Sequence, residues 1–389
     1  MIPAARLSGA IEMLDRILAG ATAEQVLTNW GRANRFAGSG DRHALRDLVF
    51  DALRCRRSYA ALGGAETGRG LILGGLRAEG IDPVTFFTGL SHAPAPVQPG
   101  ETGRSPEPYE ALDCPDWLAD DLQASLGPDF TSVMHALRHR APVFLRVNLA
   151  KTSRVAAMSA LAHAGIATRV CDWVETALEV TENARKIQIS TAYAGGLVEL
   201  QDASSQAVVA HLALRPGLKV LDFCAGGGGK TLAIAAYGVA PDAHDADPVR
   251  MRDLPVRAAR AGARVRLLEN PANTAPYDLI FADVPCSGSG SWRRDPQGKW
   301  ALTAARLRDL LNVQAQILDR VLPLLKPSGV LAYATCSLLR DENEAQVEAF
   351  IARHPAWQIL DQRRFSPLQG GDGFFVARLT QDPMQPTQL

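Results

Sequence analysis

The chain has 389 residues, of which 47% are hydrophobic and 21% charged, a composition typical of a soluble globular protein with two or three domains. Its 41 basic and 41 acidic residues cancel, which argues against a uniformly basic nucleic-acid-binding surface but permits local basic patches. Charged residues near the N-terminus interrupt any signal-peptide core, no apolar run is long enough to span a membrane, and the six cysteines form no CxxC pair. We therefore expect a cytoplasmic, reduced protein with no membrane anchor, no disulfide framework and no metal site.

Residues 1–80 have the apolar periodicity of helices. One predicted helix carries Leu14 and Ile17 on its apolar face, and a second helix ends in the basic stretch Arg54–Arg57. Two interpretations of this stretch remain open. It is either an exposed helix end, where positive charge suits the helix dipole, or a contact with RNA phosphate.

A Pro-rich stretch at residues 81–114 lacks periodicity and predicts an extended linker. Residues 115–196 then show strand and helix patterns, which predict a small α+β subdomain. In its first strand, Pro142–Leu149, Arg146 and Asn148 alternate with apolar residues and so share one face. They can be ordinary solvent-side residues, but a polar strand face is also a common way to bind RNA.

Residues 197–389 repeat strand and helix patterns, and this alternation predicts a doubly wound, Rossmann-like α/β sheet. The predicted strands are Leu218–Phe223, one that ends near Asp245, Arg264–Leu268, Tyr277–Asp283, Gly329–Thr335 and Gly373–Leu379. The predicted helices are one that runs to about Ala236, then Pro248–Ala261, Thr303–Leu325 and Glu342–Arg353. The expected fold is therefore this sheet, preceded by the small α+β subdomain and an all-helical N-terminal domain.

Two of these strands lead directly into a cysteine. The apolar run that ends in Asp283 is followed by Pro285 and Cys286, and the run Val330–Tyr333 is followed closely by Cys336. Ligands of open α/β sheets bind beyond the carboxyl ends of the strands, so both thiols are expected to face one crevice. A thiolate attacks unsaturated carbon well, and two thiols at one site allow one to attack while the other assists product release.

The sequence LDFCAGGGGKT (Leu221–Thr231) places a glycine cluster between a strand and a helix, where the backbone can approach a ligand closely. It fails the phosphate-loop pattern because Cys224 occupies the first glycine position, and it fails the dinucleotide pattern because Thr231 replaces a required glycine. This leaves a nucleoside without a pyrophosphate, such as S-adenosylmethionine. Its ribose hydroxyls need a carboxylate at the end of the next strand, which is the place of Asp245, while Asp247 suits the cap of the following helix.

With these motifs in place, the chain resembles the NOP/Sun family of RNA (cytosine-5) methyltransferases, most closely the bacterial small-subunit ribosomal RNA subgroup with a NusB-like N-terminal domain. The supporting stretches are LRVN, QDASSQ, DFCAGGGGKT, DVPCSGSGSWRRDP, YATCS, DENE and DGFF. The resemblance implies that Cys336 is the nucleophile, that Cys286 assists release and that Asp283 holds the target base. It also implies cofactor contacts from Cys224, Ala225, Gly226, Gly227, Gly228, Gly229, Lys230, Asp245, Arg250, Glu269 and Asp283.

Three positions depart from the family pattern. Gly227 stands where the family commonly has proline, which should loosen the turn, Arg257 where it often has asparagine, and Glu269 where it has an aspartate near the adenine. The loop after Cys286 offers aromatic stacking and phosphate contacts, although an aromatic-anchored surface loop explains its composition as well. The residues expected to contact RNA are Arg146, Asn148, Trp292, Arg293, Arg294 and Lys299.

The expected activity is methyl transfer from S-adenosylmethionine to C5 of a cytosine in ribosomal RNA through a covalent Cys336–C6 adduct, by a monomeric cytoplasmic enzyme. In DNA cytosine methyltransferases the nucleophile is the cysteine of a Pro-Cys dipeptide, which would favour Cys286 as the nucleophile here. The presence of a second cysteine, in the TCS sequence Thr335–Ser337, favours Cys336 instead. Three alternatives remain: a methyltransferase acting on tRNA, one acting on a small molecule, and a non-catalytic RNA-binding factor for ribosome assembly on the same scaffold.

Overall fold

The computed structural model describes residues 1–381, which form two compact units. The first unit consists of Met1–Arg140 and Trp292–Leu302, and the second of Ala141–Ser291 and the described residues from Thr303 onward. The expected linker at residues 81–114 and the first part of the expected α+β subdomain therefore lie in the first unit. So does the stretch 292–302, although its neighbours in sequence on both sides belong to the second unit.

The secondary structure consists mainly of helices in the first unit and of helices and strands in the second. The helices are α1 (Pro3–Leu18), α2 (Ala23–Ala33), α3 (Ser39–Arg54), α4 (Arg56–Gly63), α5 (Gly68–Ala78), α6 (Pro108–Ala111), α7 (Asp116–Leu126), α8 (Phe130–Leu137), α9 (Arg154–His163), α10 (Thr191–Ala194), α11 (Ala203–Ala210), α12 (Gly229–Ala235), α13 (Leu254–Ala261), α14 (Pro296–Ala301), α15 (Ala304–Val321) and α16 (Glu344–Arg353). The strands are β1 (Val143–Val147), β2 (Ala167–Val170), β3 (Ala177–Glu182), β4 (Val198–Leu200), β5 (Val220–Asp222), β6 (Asp242–Ala243), β7 (Arg266–Leu267), β8 (Tyr277–Asp283), β9 (Leu325–Thr335), β10 (Gln358–Phe365) and β11 (Phe374–Thr380).

The first unit is a bundle of helices that each bury one apolar face. Leu14 of α1, Val49 of α3 and Leu71 of α5 are fully buried in a common apolar core. The structure confirms the expected helical N-terminal region. It ends α3 at Arg54 and begins α4 at Arg56, so the basic stretch joins two helices instead of ending one.

The stretch 292–302 joins the first unit through buried polar contacts. Lys299, with only 1% of its surface exposed, donates from Nζ to the carbonyl oxygens of Arg54 and Asp113, at 3.0 Å each. Trp300 Nε1 donates to the carbonyl oxygen of Leu53 at 2.6 Å. Burial lowers the pKa of Lys299 to about 8. The lysine therefore serves as an internal donor in this unit.

The second unit begins with a four-stranded antiparallel sheet in the order β2-β3-β1-β4. Helix α9 starts after Ser153, whose Oγ accepts a hydrogen bond from the amide of Ala156 at 3.2 Å and so caps the helix. The helix buries Leu161 against Leu145 and Val198 of the sheet.

The larger sheet of the second unit has the strand order β10-β11-β9-β8-β5-β6-β7. The strands from β9 to β7 are parallel, while β11 pairs antiparallel with β9 and β10 pairs antiparallel with β11. This arrangement confirms the predicted Rossmann-like sheet. β8 spans Tyr277–Asp283, as the apolar run predicts.

The position of β8 explains why its sequence is apolar throughout. Leu279 and Phe281 pack in the core on one face of the sheet, and Ile280 and Ala282 pack in the core on the other. β8 lies between β5 and β9, with all three strands parallel, so their carboxyl ends meet at one edge of the sheet. The residues that follow Asp222, Asp283 and Thr335 are thereby brought together.

One predicted helix is interrupted. The pattern predicted a continuous helix over Pro248–Ala261, but the structure has a 3-10 turn at Pro248–Met251 and then α13 from Leu254. Pro255 lies in the first turn of α13, where a missing amide hydrogen costs nothing, whereas inside a longer helix it would break a hydrogen bond. Within residues 1–381, no helix is both long and apolar enough to cross a membrane.

Candidate active site

The two cysteines that follow strands β8 and β9 lie in contact. The Sγ atoms of Cys286 and Cys336 are 3.4 Å apart, and both residues are half-buried. The structure therefore brings together the two thiols that the sequence predicted to share one crevice.

A cleft of about 430 Å³ surrounds these thiols and extends to the glycine turn after β5. Its wall is formed by Gln201, Ser205, Asp222, Cys224, Ala225, Gly226, Gly227, Gly229, Lys230, Arg250, Asp283, Val284, Pro285, Cys286 and Cys336. Most of the residues predicted to act in catalysis or cofactor binding are in this set.

The surroundings of Cys286 and of a third thiol in the cleft raise the pKa of both groups. The hydrogen bond with Cys336, together with burial and the negative charges of Cys336 and Glu342, raises the pKa of Cys286 well above its ordinary value. Burial likewise raises the pKa of Cys224, the other thiol of the cleft. Cys286 and Cys224 are therefore held in the protonated form, which is a poor nucleophile.

A half-buried ion pair lines the same cleft as the thiols. Lys230 Nζ donates to Oδ2 of Asp283 at 2.6 Å, with both side chains largely enclosed. Burial opposes the charge of the lysine, but the carboxylate of Asp283, with the negative charge of Cys336, raises the pKa of Lys230 above its ordinary value. The lysine thus brings positive charge to a site that contains a carboxylate and two thiols in contact.

The glycine turn needs glycine at two positions. Gly226 and Gly228 have φ angles of +52° and +79°, a conformation that other residues rarely adopt. A Cβ atom on Gly228 would also lie 2.2 Å from Cδ1 of Leu254. Arg257 donates from Nη1 to the carbonyl oxygen of Gly227, so two of the residues that depart from the family pattern contact each other and brace the turn.

Asp245 supports the turn from the end of the neighbouring strand. Its Oδ2 accepts from the amide of Gly226 at 2.8 Å and from Nη1 of Arg250 at 3.2 Å. Asp247 caps the 3-10 turn that follows, with Oδ1 accepting from the amide of Val249 at 3.1 Å, as predicted.

Glu269 lies on an exposed bend after β7 and is not among the described residues that line the cleft, so its position does not support the predicted adenine contact.

Five residues that line the cleft were not among the predicted site residues: Gln201, Ser205, Asp222, Val284 and Pro285. Asp222 ends β5, is 1% exposed and lines the cleft. Its Oδ2 accepts from the hydroxyl of Thr231 at 2.6 Å, whereas Oδ1 has no hydrogen-bond partner among residues 1–381. Burial raises the pKa of Asp222 to about 7, against the hydrogen bond from Thr231, which lowers it. The signal in the sequence was an aspartate at the end of a buried strand, directly before a glycine turn.

These features fit S-adenosylmethionine. The glycine turn presents backbone without side chains to the cleft, and Asp245 holds that turn from the end of the next strand. The unpartnered oxygen of Asp222 suits a ligand with N–H donors, because a buried acceptor without a partner is costly.

Two residues predicted to bind RNA have a different role in the structure. Arg146 and Asn148 are both buried and do not lie on an open strand face. Arg146 Nη1 donates to Oε1 of Gln201 and to the carbonyl oxygen of Gly229, the latter at 2.7 Å. Asn148 Nδ2 donates to the carbonyl oxygen of Ala261 at 2.8 Å. Their polarity, which suggested RNA contact, is explained by hydrogen bonds within the second unit.

The aromatic and basic residues after Cys286 are also mostly internal. Trp292, Arg293 and Lys299 are buried in the first unit, with exposed fractions of 2%, 4% and 1%. This corrects the expectation that they contact RNA, because enclosed side chains cannot reach phosphates or stack on bases. Arg294 is exposed.

Comparisons with known proteins identify the relatives of the chain. The family described as 16S rRNA methyltransferase RsmB/F matches residues 209–380, and the RsmF/B-like ferredoxin-like domain matches residues 114–187. Ribosomal RNA small subunit methyltransferase B of Xylella fastidiosa (strain Temecula1) is 35% identical over 291 residues, which cover 69% of this chain and 67% of that relative. The chain belongs to the 16S rRNA methyltransferase RsmB/F family. This confirms the family that the motifs suggested, and S-adenosylmethionine is its cofactor.

Solved structures agree on the fold. The crystal structure of PH0851 covers 98% of this chain and 99% of its own with a TM-score of 0.76 and 21% identity. NSun6 from Pyrococcus horikoshii, solved with SFG, covers 69% of this chain and 98% of its own with a TM-score of 0.61 and 18% identity. The stretch matched by the Xylella relative spans about two thirds of the length of that protein.

Asp222 leads to a prediction about stability and pH. The folded protein keeps a proton on Asp222 between pH 3.8 and about 7, where the unfolded chain has released it, so the stability contributed by this residue falls as pH rises through that window. At pH 8, Asp222→Asn is expected to stabilise the cofactor-free protein by about 2–4 kcal/mol. The gain should disappear towards pH 4. Urea unfolding at a series of pH values measures it.

The matched control is Asp242→Asn, which removes another buried carboxylate of the same sheet, one that is ion-paired with Arg266. It should lower stability at pH 8 instead of raising it. S-adenosylmethionine should stabilise Asp222→Asn less than the wild type in a thermal-shift assay. Equal stabilisation of both proteins would mean that the unpartnered oxygen does not contribute to cofactor binding.

Proposed function

We propose that the chain transfers the methyl group of S-adenosylmethionine to C5 of a cytosine in ribosomal RNA, with Cys336 as the nucleophile. The observation that carries this proposal is the 3.4 Å contact between the Sγ atoms of Cys286 and Cys336, in a cleft that also contains the glycine turn. Methyl transfer to an atom that is already nucleophilic needs no thiol. Two thiols beside the cofactor turn therefore favour a target that has to be activated covalently.

Cytosine C5 is such a target, because the aromatic ring makes it a weak nucleophile. Addition of the Cys336 thiolate to C6 forms an S–C6 bond and converts the ring into an enamine with its electron density at C5. When bound, S-adenosylmethionine supplies the electrophilic methyl group that C5 accepts. A base in the cleft then takes the C5 proton, and the S–C6 bond breaks with its electron pair returning to sulfur, which restores the aromatic ring and frees the Cys336 thiolate.

The raised pKa of Cys286 supports different roles for the two thiols. The raised pKa of Cys286 keeps it protonated through its hydrogen bond with Cys336, its burial and the nearby negative charges. A protonated thiol is a poor nucleophile, so the attack is assigned to Cys336, and Cys286 is left to assist release.

Asp283 suits the task of holding the base. Its carboxylate lines the cleft, and one oxygen accepts from Lys230 at 2.6 Å, which fixes the orientation of the group. A carboxylate accepts several hydrogen bonds, so it can also bind the N3/N4 edge of a cytosine that is protonated at N3. This charge-assisted contact strengthens as the thiolate adds, which is when it accelerates the reaction.

The cofactor would be held by the residues that line the same cleft as the thiols. These are the backbone of Ala225, Gly226, Gly227 and Gly229 and the side chains of Asp222, Arg250 and Asp283, with Asp245 supporting the turn. Cys224 and Lys230 complete the wall.

The RNA class is inferred from the relatives, because the Xylella protein is named for the small-subunit ribosomal RNA. A base has to leave its stack to reach the cleft thiols, which costs least in single-stranded or loop RNA. Arg294 is the remaining candidate for a phosphate contact among the predicted RNA-binding residues, since it is exposed.

The test is methyl transfer from labelled S-adenosylmethionine to three RNA samples: deproteinised 16S rRNA, purified small subunits and tRNA. All three come from a strain that lacks the gene. The RNA is digested to nucleosides, and 5-methylcytidine is measured by mass spectrometry, with Cys336→Ala as the control protein. We expect label in 5-methylcytidine of 16S rRNA, as free RNA or in the subunit. Label in tRNA alone would show that tRNA, and not ribosomal RNA, is the substrate. Label in a nucleoside other than 5-methylcytidine would contradict methylation at C5 of cytosine. Binding of RNA without transfer of label would support a non-catalytic assembly factor.

A further inference from the structure

A buried glutamate joins the two loops that carry the thiols. Glu342 is fully buried, and its Oε1 accepts from the amide of Ser287 at 2.8 Å and from Nε2 of Gln314 at 3.0 Å. Its Oε2 accepts from the hydroxyl groups of Ser287 and Ser337, at 2.5 Å each. A carboxylate has about four acceptor sites, so these four donors use all of them.

The donors have a specific relation to the cysteines. Ser287 directly follows Cys286, and Ser337 directly follows Cys336, so one carboxylate holds the residue after each thiol. Gln314 also donates to the carbonyl oxygen of Pro285 at 3.0 Å, which extends the contact to the residue before Cys286. All four donors are uncharged and three of them belong to the two loops, as expected if the carboxylate orders these loops.

We propose that Glu342 is a positioning residue that fixes the separation and alignment of Cys286 and Cys336. The inference rests on the proposed function, in which one thiol attacks and the other assists release. The backbone already ties the loops together, because Gly290 donates from its amide to the carbonyl oxygen of Cys336 at 2.9 Å. That contact sets the path of the chain, whereas the charge-assisted bonds of Glu342 fix the residue beside each thiol and thereby where the Sγ atoms point.

Two substitutions of Glu342 test this role: one keeps the shape of the side chain and its hydrogen bonds, and the other removes both. Glutamine keeps the shape of Glu342: its oxygen accepts from the Ser287 amide and Gln314, and its NH₂ group donates to the serine hydroxyl oxygens, which can rotate to accept. Glu342→Gln is therefore expected to keep kcat within about fivefold of the wild type. Glu342→Ala releases both loops and is expected to lower kcat about 100-fold, because displacements of about 1 Å at reacting groups have effects of that size.

The kinetic pattern distinguishes positioning from general damage. In Glu342→Ala, the KM for S-adenosylmethionine should be unchanged while kcat falls, since the glycine turn does not depend on this carboxylate. The matched control is Asp361→Ala, which removes a carboxylate of the same unit that pairs with Arg378 and His211. This control should lose stability and retain kcat.

Phenylarsine oxide reports the thiol pair directly, because its arsenic binds tightly only when two thiols lie close together. The wild type should bind one equivalent, and Cys336→Ser should not bind tightly. Glu342→Gln should bind nearly as well as the wild type, and Glu342→Ala should bind at least about tenfold more weakly.

If Glu342→Ala does not fold, the double variant Ser287→Ala/Ser337→Ala tests the same claim, because it removes both hydroxyl donors and keeps the carboxylate. It should lower both kcat and arsenical affinity. Unchanged kcat and unchanged arsenical binding in a folded variant would overturn the positioning role. Failure of the proposed function is a separate result: it would appear as full activity in Cys336→Ala, whatever the Glu342 variants do.

Discussion

Cys336→Ala is expected to lower methyl transfer to RNA by on the order of 10³-fold or more, because C5 of the cytosine is then never activated. Cys286→Ala should also lose turnover, but for a different reason. Cys336 can still add to C6, and the adduct cannot collapse efficiently without the second thiol 3.4 Å away. Denaturing gel electrophoresis should therefore show a protein–RNA complex that accumulates with Cys286→Ala and is missing with Cys336→Ala.

Cys171→Ala is the control for these two variants, since Cys171 is buried in the core of the same unit and does not line the cleft. It should turn over normally and accumulate no adduct. The opposite pattern, an adduct with Cys336→Ala and none with Cys286→Ala, would assign the attack to Cys286. Cofactor binding, measured by calorimetry, should stay near the wild-type value in both active-site variants.

Asp283→Asn is expected to lower kcat/KM for RNA about 100-fold, with a smaller effect on cofactor affinity. The asparagine loses the ion pair with Lys230, and it turns one acceptor atom into a donor that cannot hold a base protonated at N3. Steady-state kinetics with a short RNA hairpin that contains the target cytosine measure this loss.

The same strand supplies a matched control. Asp278, near the start of β8, pairs with Lys326 at 2.6 Å and is buried to a similar extent as Asp283. Asp278→Asn removes an equivalent ion pair far along the strand from the thiols, so it should retain kcat/KM. Equal losses in both variants would mean that Asp283 supports the strand and does not act on the base.

The sequence was sufficient to predict the catalytic edge of the sheet. The apolar run Leu279–Ala282, which ends at an aspartate and a proline, predicts a strand in a sheet that is covered on both faces. The strand β8 has the predicted bounds. Parallel strands bring their carboxyl ends to one edge, so the proximity of Cys286 and Cys336 followed from topology alone.

Other features depended on contacts that no local pattern contains. Lys299 and Trp292 have the composition of an exposed RNA-binding loop, and only the distant carbonyl oxygens of Arg54 and Asp113 show why a lysine can be buried there. Arg146 was predicted on an open strand face because its partner Gly229 lies in another subdomain. β10 was not predicted because its alternating polar sequence is that of an edge strand.

Glu342 shows the same limit at the site itself. It belongs to the DENE stretch that supported the family resemblance, but its position in sequence says nothing about the serines after each cysteine. The role follows only once β8 and β9 are neighbours and Gln314 of α15 reaches their loops. Side-chain networks of this kind are set by packing between elements distant in sequence.

The most direct test of the covalent mechanism uses an RNA substrate with 5-fluorocytosine at the target position. After addition of sulfur to C6 and methylation of C5, the fluorine cannot leave as a proton does, so the adduct is trapped. Peptide mapping by mass spectrometry of the wild-type protein with this RNA and S-adenosylmethionine should find the modified nucleotide on the peptide that contains Cys336. A nucleotide attached to Cys286, or normal methylation of the unfluorinated RNA with no trapped adduct, would contradict attack by Cys336.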